Sequence, residues 1–267
     1  MVANSAISQP SLLDRGEARA ATSTEGYDRL GVGYGRGRLA EPRWQAALDA
    51  AVGSARTVVN VGAGTGSYEP ADRRVLAVEP SALMIKQRGA GAAPAFQAYA
   101  EHLPIADSQF EVGMAIVTLH HWTDWRAGLC EVRRVAARTV IVHFDPVIHA
   151  GFWLARDYLP ELAELWREVP TPRQVAGEIG AGASVQELPV PWDCVDGFLP
   201  AYWRRPEAYL DPLVRQAMSG LQLISPTALV RGIASLQRDL DNGTWRRNNA
   251  DLLGLEQLDV GWRLITG

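Results

Sequence analysis

The 267-residue sequence predicts an α/β protein built on a doubly wound, mostly parallel sheet. Three observations carry this reading. Four short runs at 57–61, 75–78, 115–119 and 139–144 are rich in β-branched residues and apolar on both faces, as strands are when helices cover both sides of a sheet. Helix-like stretches separate them, notably 81–87 and 125–136, and the alternation extends over about 90 residues. A glycine cluster, Gly62-Ala63-Gly64-Thr65-Gly66, stops the first run, where a chain leaving a strand must turn tightly beside a ligand.

In chain order, residues 1–24 are rich in Ala, Ser, Thr and Arg without a sustained period and read as a flexible arm. Pro42 opens a helix that carries Trp44, Ala47, Leu48 and Ala51. Only about seven residues, Pro70 among them, separate Gly66 from the second strand, so the first crossover helix is expected to be stunted. After Pro146 the texture changes. Residues 151–180 and 196–246 read as helical and rich in Trp and Tyr, 185–190 as a possible strand and 260–265 as the last strand.

The glycine spacing discriminates among nucleotide-binding loops. A dinucleotide loop wants its third glycine one residue later, where Ser67 stands, and a phosphate loop needs a lysine that is absent here. The second strand ends in Glu79-Pro80, which places a carboxylate beside the glycine loop where it can accept from both hydroxyls of a ribose. Further on come Ala100-Glu101-His102-Leu103-Pro104, then Phe110-Glu111-Val112, then Leu119-His120-His121-Trp122.

This ordered set resembles the class I S-adenosylmethionine-dependent methyltransferases, and within them the ubiquinone-biosynthesis-type small-molecule branch. The resemblance covers roughly residues 27–146. It implies a Rossmann-like, seven-stranded sheet with an antiparallel last strand and a helical substrate cover. It also implies S-adenosyl-L-methionine as cofactor, held by Asn60, Gly62, Gly64, Gly66, Glu79, Pro80, Ala100, Glu101 and Thr118. A segment with Tyr27, Tyr34 and Arg38 is implied to fold over the cofactor, with an arginine free to pair with its carboxylate. The chain departs from the family at two places. Asn60 stands where the glycine motif usually carries an acid, and Tyr99 where an aspartate often holds the adenine amino group. The corresponding partition is an arm over 1–24, a cofactor-binding core over 25–150, a helical cover with remaining core elements over 151–255, and the last strand over 256–267.

His120 and His121 follow a buried strand and are the candidates for proton chemistry, since a neutral imidazole can take a proton from an attacking hydroxyl, amine or carbon. Packing against adenine or bonding the backbone is the competing role for each. Asp145, Trp153, Tyr158 and Trp203 are the candidates for acceptor contact in the variable part. His102, His143 and His149 look scattered, with no metal spacing, so no metal is expected. The expected activity is methyl transfer to a small molecule of specialised metabolism; the alternative is the same fold turned to cyclisation, elimination or isomerisation.

Composition narrows the partners. The net charge is −4 and the basic residues, all Arg except Lys86, are scattered, which argues against nucleic acid. No apolar run approaches the length of a membrane helix, and no basic start leads into an apolar core. Two cysteines, Cys130 and Cys194, lie far apart, which fits a reducing cytoplasm. The oligomeric state is not legible.

Overall fold

The computed structural model describes residues 37–267. The expected arm and the roles read for Tyr27 and Tyr34 lie outside the described residues.

Seven strands form one sheet in the order β3-β2-β1-β4-β5-β9-β6. β1 (Thr57–Val61) pairs in parallel with β2 (Arg74–Val78) on one side and with β4 (Phe110–Ile116) on the other. β3 (Ala95–Phe96) continues beyond β2, and β5 (Ala136–Phe144) lies parallel to β4. β9 (Trp262–Thr266) runs antiparallel to β5, as expected, and β6 (Ser184–Glu187) antiparallel to β9. The chain winds outward in both directions from β1, so a crevice opens beyond the C-terminal ends of β1 and β4.

Both sheet faces are covered. Val58, Val112, Met114, Val140 and Val142 face α1 (Pro42–Val52) and the cover, while their neighbours Val59, Val61, Ala115 and Ile141 face the opposite layer. α1 buries Trp44, Leu48 and Val52 at four-residue spacing, and the Glu41 carboxylate caps its start. The opposite layer contains α3 (Trp125–Val135), capped by Asp124, and α6 (Pro172–Ile179), which opens with a Thr171–Gln174 capping box. α6 therefore packs with the core sheet rather than with the cover. Its buried Val175 and Ile179 meet Ala115, Ile141 and Ile265.

Two expectations change. The stunted crossover helix is absent altogether: residues 62–73 pass from β1 to β2 as turns. Gly62, Gly64 and Gly66 all take positive φ, which an α-helix cannot continue through, and Pro70 follows. The region expected to be helical over 196–246 is mostly short pieces, with 3₁₀ turns at Leu199–Tyr202 and Pro206–Leu210 and helices at Pro212–Arg215 (α7) and Ser219–Leu223 (α8). Pro200, Pro206 and Pro212 each stand at an element's first or second position and break what precedes. Only α9 (Pro226–Asp241) is long. The other described helices are α2 (Ala82–Lys86), α4 (Pro146–Ala150), α5 (Glu161–Leu165) and α10 (Thr244–Asn248). β7 (Val190–Pro191) and β8 (Gln257–Leu258) form a separate two-stranded ladder.

Candidate cofactor and acceptor site

The glycine loop is shaped by its backbone. Gly62 has φ 72° and Gly64 φ 52°, and a Cβ on Gly62 would collide with the Thr118 side chain at the tip of β4. Gly62 N–H and Ala63 N–H both donate to Val78 O, at 2.8 and 3.0 Å, which ties the loop to the end of β2. One residue on, the Glu79 carboxylate accepts from Gly64 N–H at 2.8 Å and from Ser81 N–H at 2.9 Å. Glu79 is nearly buried and lies on the wall of a cavity of about 460 Å³, within the size range of small-molecule sites.

That cavity brings together most of the residues expected to hold the cofactor: Arg38, Asn60, Gly62, Gly64, Glu79, Pro80, Ala100, Glu101 and Thr118. Tyr99, Trp122 and Thr123 share the Ala100 side. Gly66 is the exception: its turn, φ 90°, backs onto Glu69 and Arg88.

Behind the loop, an ion pair occupies the place of the missing helix. Arg88 Nη2 lies 2.6 and 2.7 Å from the two Glu69 carboxylate oxygens, with both side chains nearly buried. Arg88 also donates to Gly64 O and Ala93 O, and Asn60 Nδ2 donates to Glu69 Oε1 at 3.2 Å. The amide oxygen of Asn60 is buried on the cavity side and has no hydrogen-bond partner among the described residues. A buried acceptor in this state invites a ligand donor.

Arg38 does not wait for the cofactor's carboxylate. Its Nε and Nη2 contact both oxygens of the buried Asp196 at 2.6 and 3.1 Å, and Tyr68 Oη donates to the same carboxylate at 2.9 Å. Gly197 N–H donates to Gly37 O and Val195 N–H to Glu41, so the 193–197 loop is stapled to the chain entering α1.

The histidines gather. His120 and His121 follow β4 in a 3₁₀ turn (Leu119–His121) with ring centroids 3.8 Å apart. His143, at the end of β5, lies 6.3 Å from His120. His149 of α4 packs edge-on to Trp166 and Trp262. The scattered reading of His143 and His149 is thus corrected, because the β4–β5 register, Ile116 opposite Val142, brings the two strand ends side by side. Burial holds all four neutral. It pulls His143 and His149 down to about 4 and His120 well below the ordinary value of 6.5. For His121, burial and then the nearby Arg38 charge bring it to about 3. Among the described residues no group of three potential ligands could hold a metal ion.

A second cavity, about 50 Å³, adjoins the first; Arg38, Val117 and His121 line both. Val117 has φ 56°, a strained state for a β-branched residue, and β4 stops before it at Ile116, three residues short of the run expected over 115–119.

None of the four residues expected at the acceptor lines either cavity. Asp145 caps α4 through Val147 and Ile148 N–H. Trp153 and Trp203 are core side chains, with Trp153 donating to Trp203 O and Trp203 to Val190 O. Tyr158 is buried and donates to Asp239. Large aromatics so placed recover more by full burial than at a cavity rim. The residues missed, Glu69, Arg88, Asp196, Val117, Phe198 and Trp262, lie in loops or at strand ends. Only the short, glycine-rich stretch between the first two strands, with Pro70 in it, signalled in the sequence that something other than a full helix must support the loop.

No curated protein sequence matches the chain significantly. Residues 59–144 match the family model described as a methyltransferase domain. The fold is similar to that of a protein from Anabaena variabilis ATCC 29413 provisionally named a methyltransferase from an antibiotic biosynthesis pathway. The two share 29% identity at a TM-score of 0.79, over 86% of this chain and 98% of that one. A SAM-dependent methyltransferase from Thermotoga maritima shares 18% identity at a TM-score of 0.46, over 62% of this chain and 81% of that one. The chain is therefore similar to the methyltransferase domain over residues 59–144, about a third of its length, and to the Anabaena structure over most of its length.

Proposed function

We propose that the protein transfers a methyl group from S-adenosylmethionine to a small-molecule acceptor. One observation carries the reading: the Glu79 carboxylate, oriented by Gly64 and Ser81 N–H, on the wall of a cavity that the glycine loop also lines. The residues present fit the cofactor. Glu79 presents its carboxylate on the cavity wall, where two ribose hydroxyls would meet it, and the buried Asn60 oxygen offers an acceptor to an ammonium group. Tyr99 and Trp122 offer ring faces beside Ala100. When bound, S-adenosylmethionine supplies a methyl group on a cationic sulfur, open to a nucleophile. The chain's task is to align the two reactants and to exclude water, and alignment alone contributes much of such a rate. A role in specialised metabolism is supported by the antibiotic-pathway name of the Anabaena protein.

Asn60 and the exposed Tyr99 also support the second reading, non-methylating chemistry on the same frame. Calorimetry with S-adenosylmethionine separates the two. The methyltransferase reading expects saturable heat at micromolar to millimolar cofactor; its absence at millimolar concentration rejects methylation and leaves the second reading.

A further inference from the structure

The second cavity has a chemistry of its own. Its walls are mixed: the rings of Phe144, Trp166, Trp262 and Phe198 stand beside the polar side chains of His120, His121, His149 and Ser219. Among the described residues it is lined by no carboxylate, and its one cation, Arg38, has its charge matched by Asp196.

The polar atoms form a pattern. His149 Nδ1 lies 2.8 Å from Val260 O. A carbonyl only accepts, so the proton sits on that nitrogen and the other nitrogen of the ring is a lone-pair acceptor. His120 Nδ1 has no hydrogen-bond partner among the described residues, and neither has the indole N–H of Trp262. The chamber thus combines one imidazole acceptor, at His149, with one indole donor, at Trp262, and the unpartnered His120 nitrogen gives or takes a hydrogen bond according to its tautomer. A hydroxyl is the simplest group that satisfies both kinds at once, since it gives one hydrogen bond and accepts others. A carboxylate would set its lone pairs against that of His149 and would find Arg38 already matched by Asp196. An ammonium would be desolvated among the rings and would find no carboxylate on the wall to pair with.

We infer that this chamber takes the reacting end of the acceptor, and that this end is an uncharged hydroxyl on an apolar, planar frame. The inference rests on the methyltransferase reading for its place in catalysis, though not for its binding chemistry. At about 50 Å³ the chamber exceeds the roughly 10–15 Å³ that one water needs. It holds a functional group and the edge of a ring, with the rest of the acceptor extending outward.

Fluorine NMR titration of the full chain, with and without S-adenosylhomocysteine, tests this with three probes: 4-fluorophenol, 4-fluorobenzoate and 4-fluorobenzylamine. The phenol is expected to bind at least about tenfold more tightly than either ion, because the chamber desolvates charge without pairing it. Equal affinities, a preference for either ion, or no phenol binding overturns the inference. Ser219→Arg, at the partly exposed start of α8 on the chamber wall, supplies the second arm. It is expected to raise benzoate affinity relative to phenol; an unchanged ranking places the probes elsewhere and also overturns the inference. Cofactor calorimetry on the same sample reports separately on the methyltransferase reading, so the two can fail independently.

Discussion

At the residue scale, the site is a set of small groups whose roles follow from what already occupies them. Glu79 holds the loop through one backbone N–H on each oxygen, at Gly64 and Ser81, and so sits in a fixed orientation on the cavity wall. Glu79→Ala is expected to weaken S-adenosylmethionine binding by about 2–3 kcal/mol, the scale of lost charge-assisted hydrogen bonds, read by calorimetry. His121 behaves differently from the free base the sequence suggested. At about 3 it stays neutral throughout the physiological range, and a base this weak contributes less than one matched to the working pH. Protonation removes the neutral form only as pH falls through that low value. The kcat/KM profile is therefore expected to show no acid limb from His121 between pH 7 and 5, and an inflection near 6.5 would contradict the structure. Of the candidate residues, the places of Gly62, Gly64 and Glu79 on the cavity wall were legible because backbone freedom and strand-tip position are local properties. Asp145, Trp153, Tyr158 and Trp203 were misread because an aromatic in a variable region looks the same in sequence whether it lines a cavity or fills a core.

At the element scale, the informative feature is a missing helix. A parallel crossover ordinarily packs a helix behind the glycine loop, but residues 62–73 are too few and too glycine-rich to make one. The Glu69–Arg88 pair fills the space and holds the loop through Gly64 O and Asn60 Nδ2. Such a pair is costly to break from one side, because the remaining charge stays buried. Arg88→Met is expected to destabilise the fold by about 3–5 kcal/mol, and the Arg88→Met/Glu69→Gln double variant by clearly less, both read by denaturant unfolding. A double variant as unstable as the single one would show that Arg88 acts by packing alone. The prolines at 200, 206 and 212 make the same point in reverse: hydrophobic spacing read as long helices, and each proline cut them short.

At the scale of the whole molecule, the cover and the sheet meet over a cluster of uncharged histidines. The ordinary imidazole value is 6.5, and His143 and His149 lie near 4 in the folded chain. Below 6.5 the unfolded chain takes up protons that the folded chain refuses, so stability is intact above 6.5 and is lost as pH falls toward 4. At about 1.4 kcal/mol per pH unit for each imidazole, thermal unfolding is expected to show a clear drop in Tm between pH 6.5 and 4. Replacing His149 by Phe should flatten that drop, because the aromatic packing against Trp166 and Trp262 survives without the titrating group.

By itself the sequence determined the doubly wound sheet, the place of the glycine loop and the carboxylate at the tip of β2. Each follows from local signals: both-face apolar runs, backbone freedom at glycine, and the step from strand to helix. The antiparallel last strand came with the family resemblance. Only the tertiary structure decided that Arg38 belongs to Asp196, that Glu69 and Arg88 stand in for a helix, and that four histidines share one neighbourhood. These are contacts between residues tens to more than a hundred positions apart. Their partners are chosen by strand register and by the close packing of the cover, neither of which leaves a periodic trace along the chain.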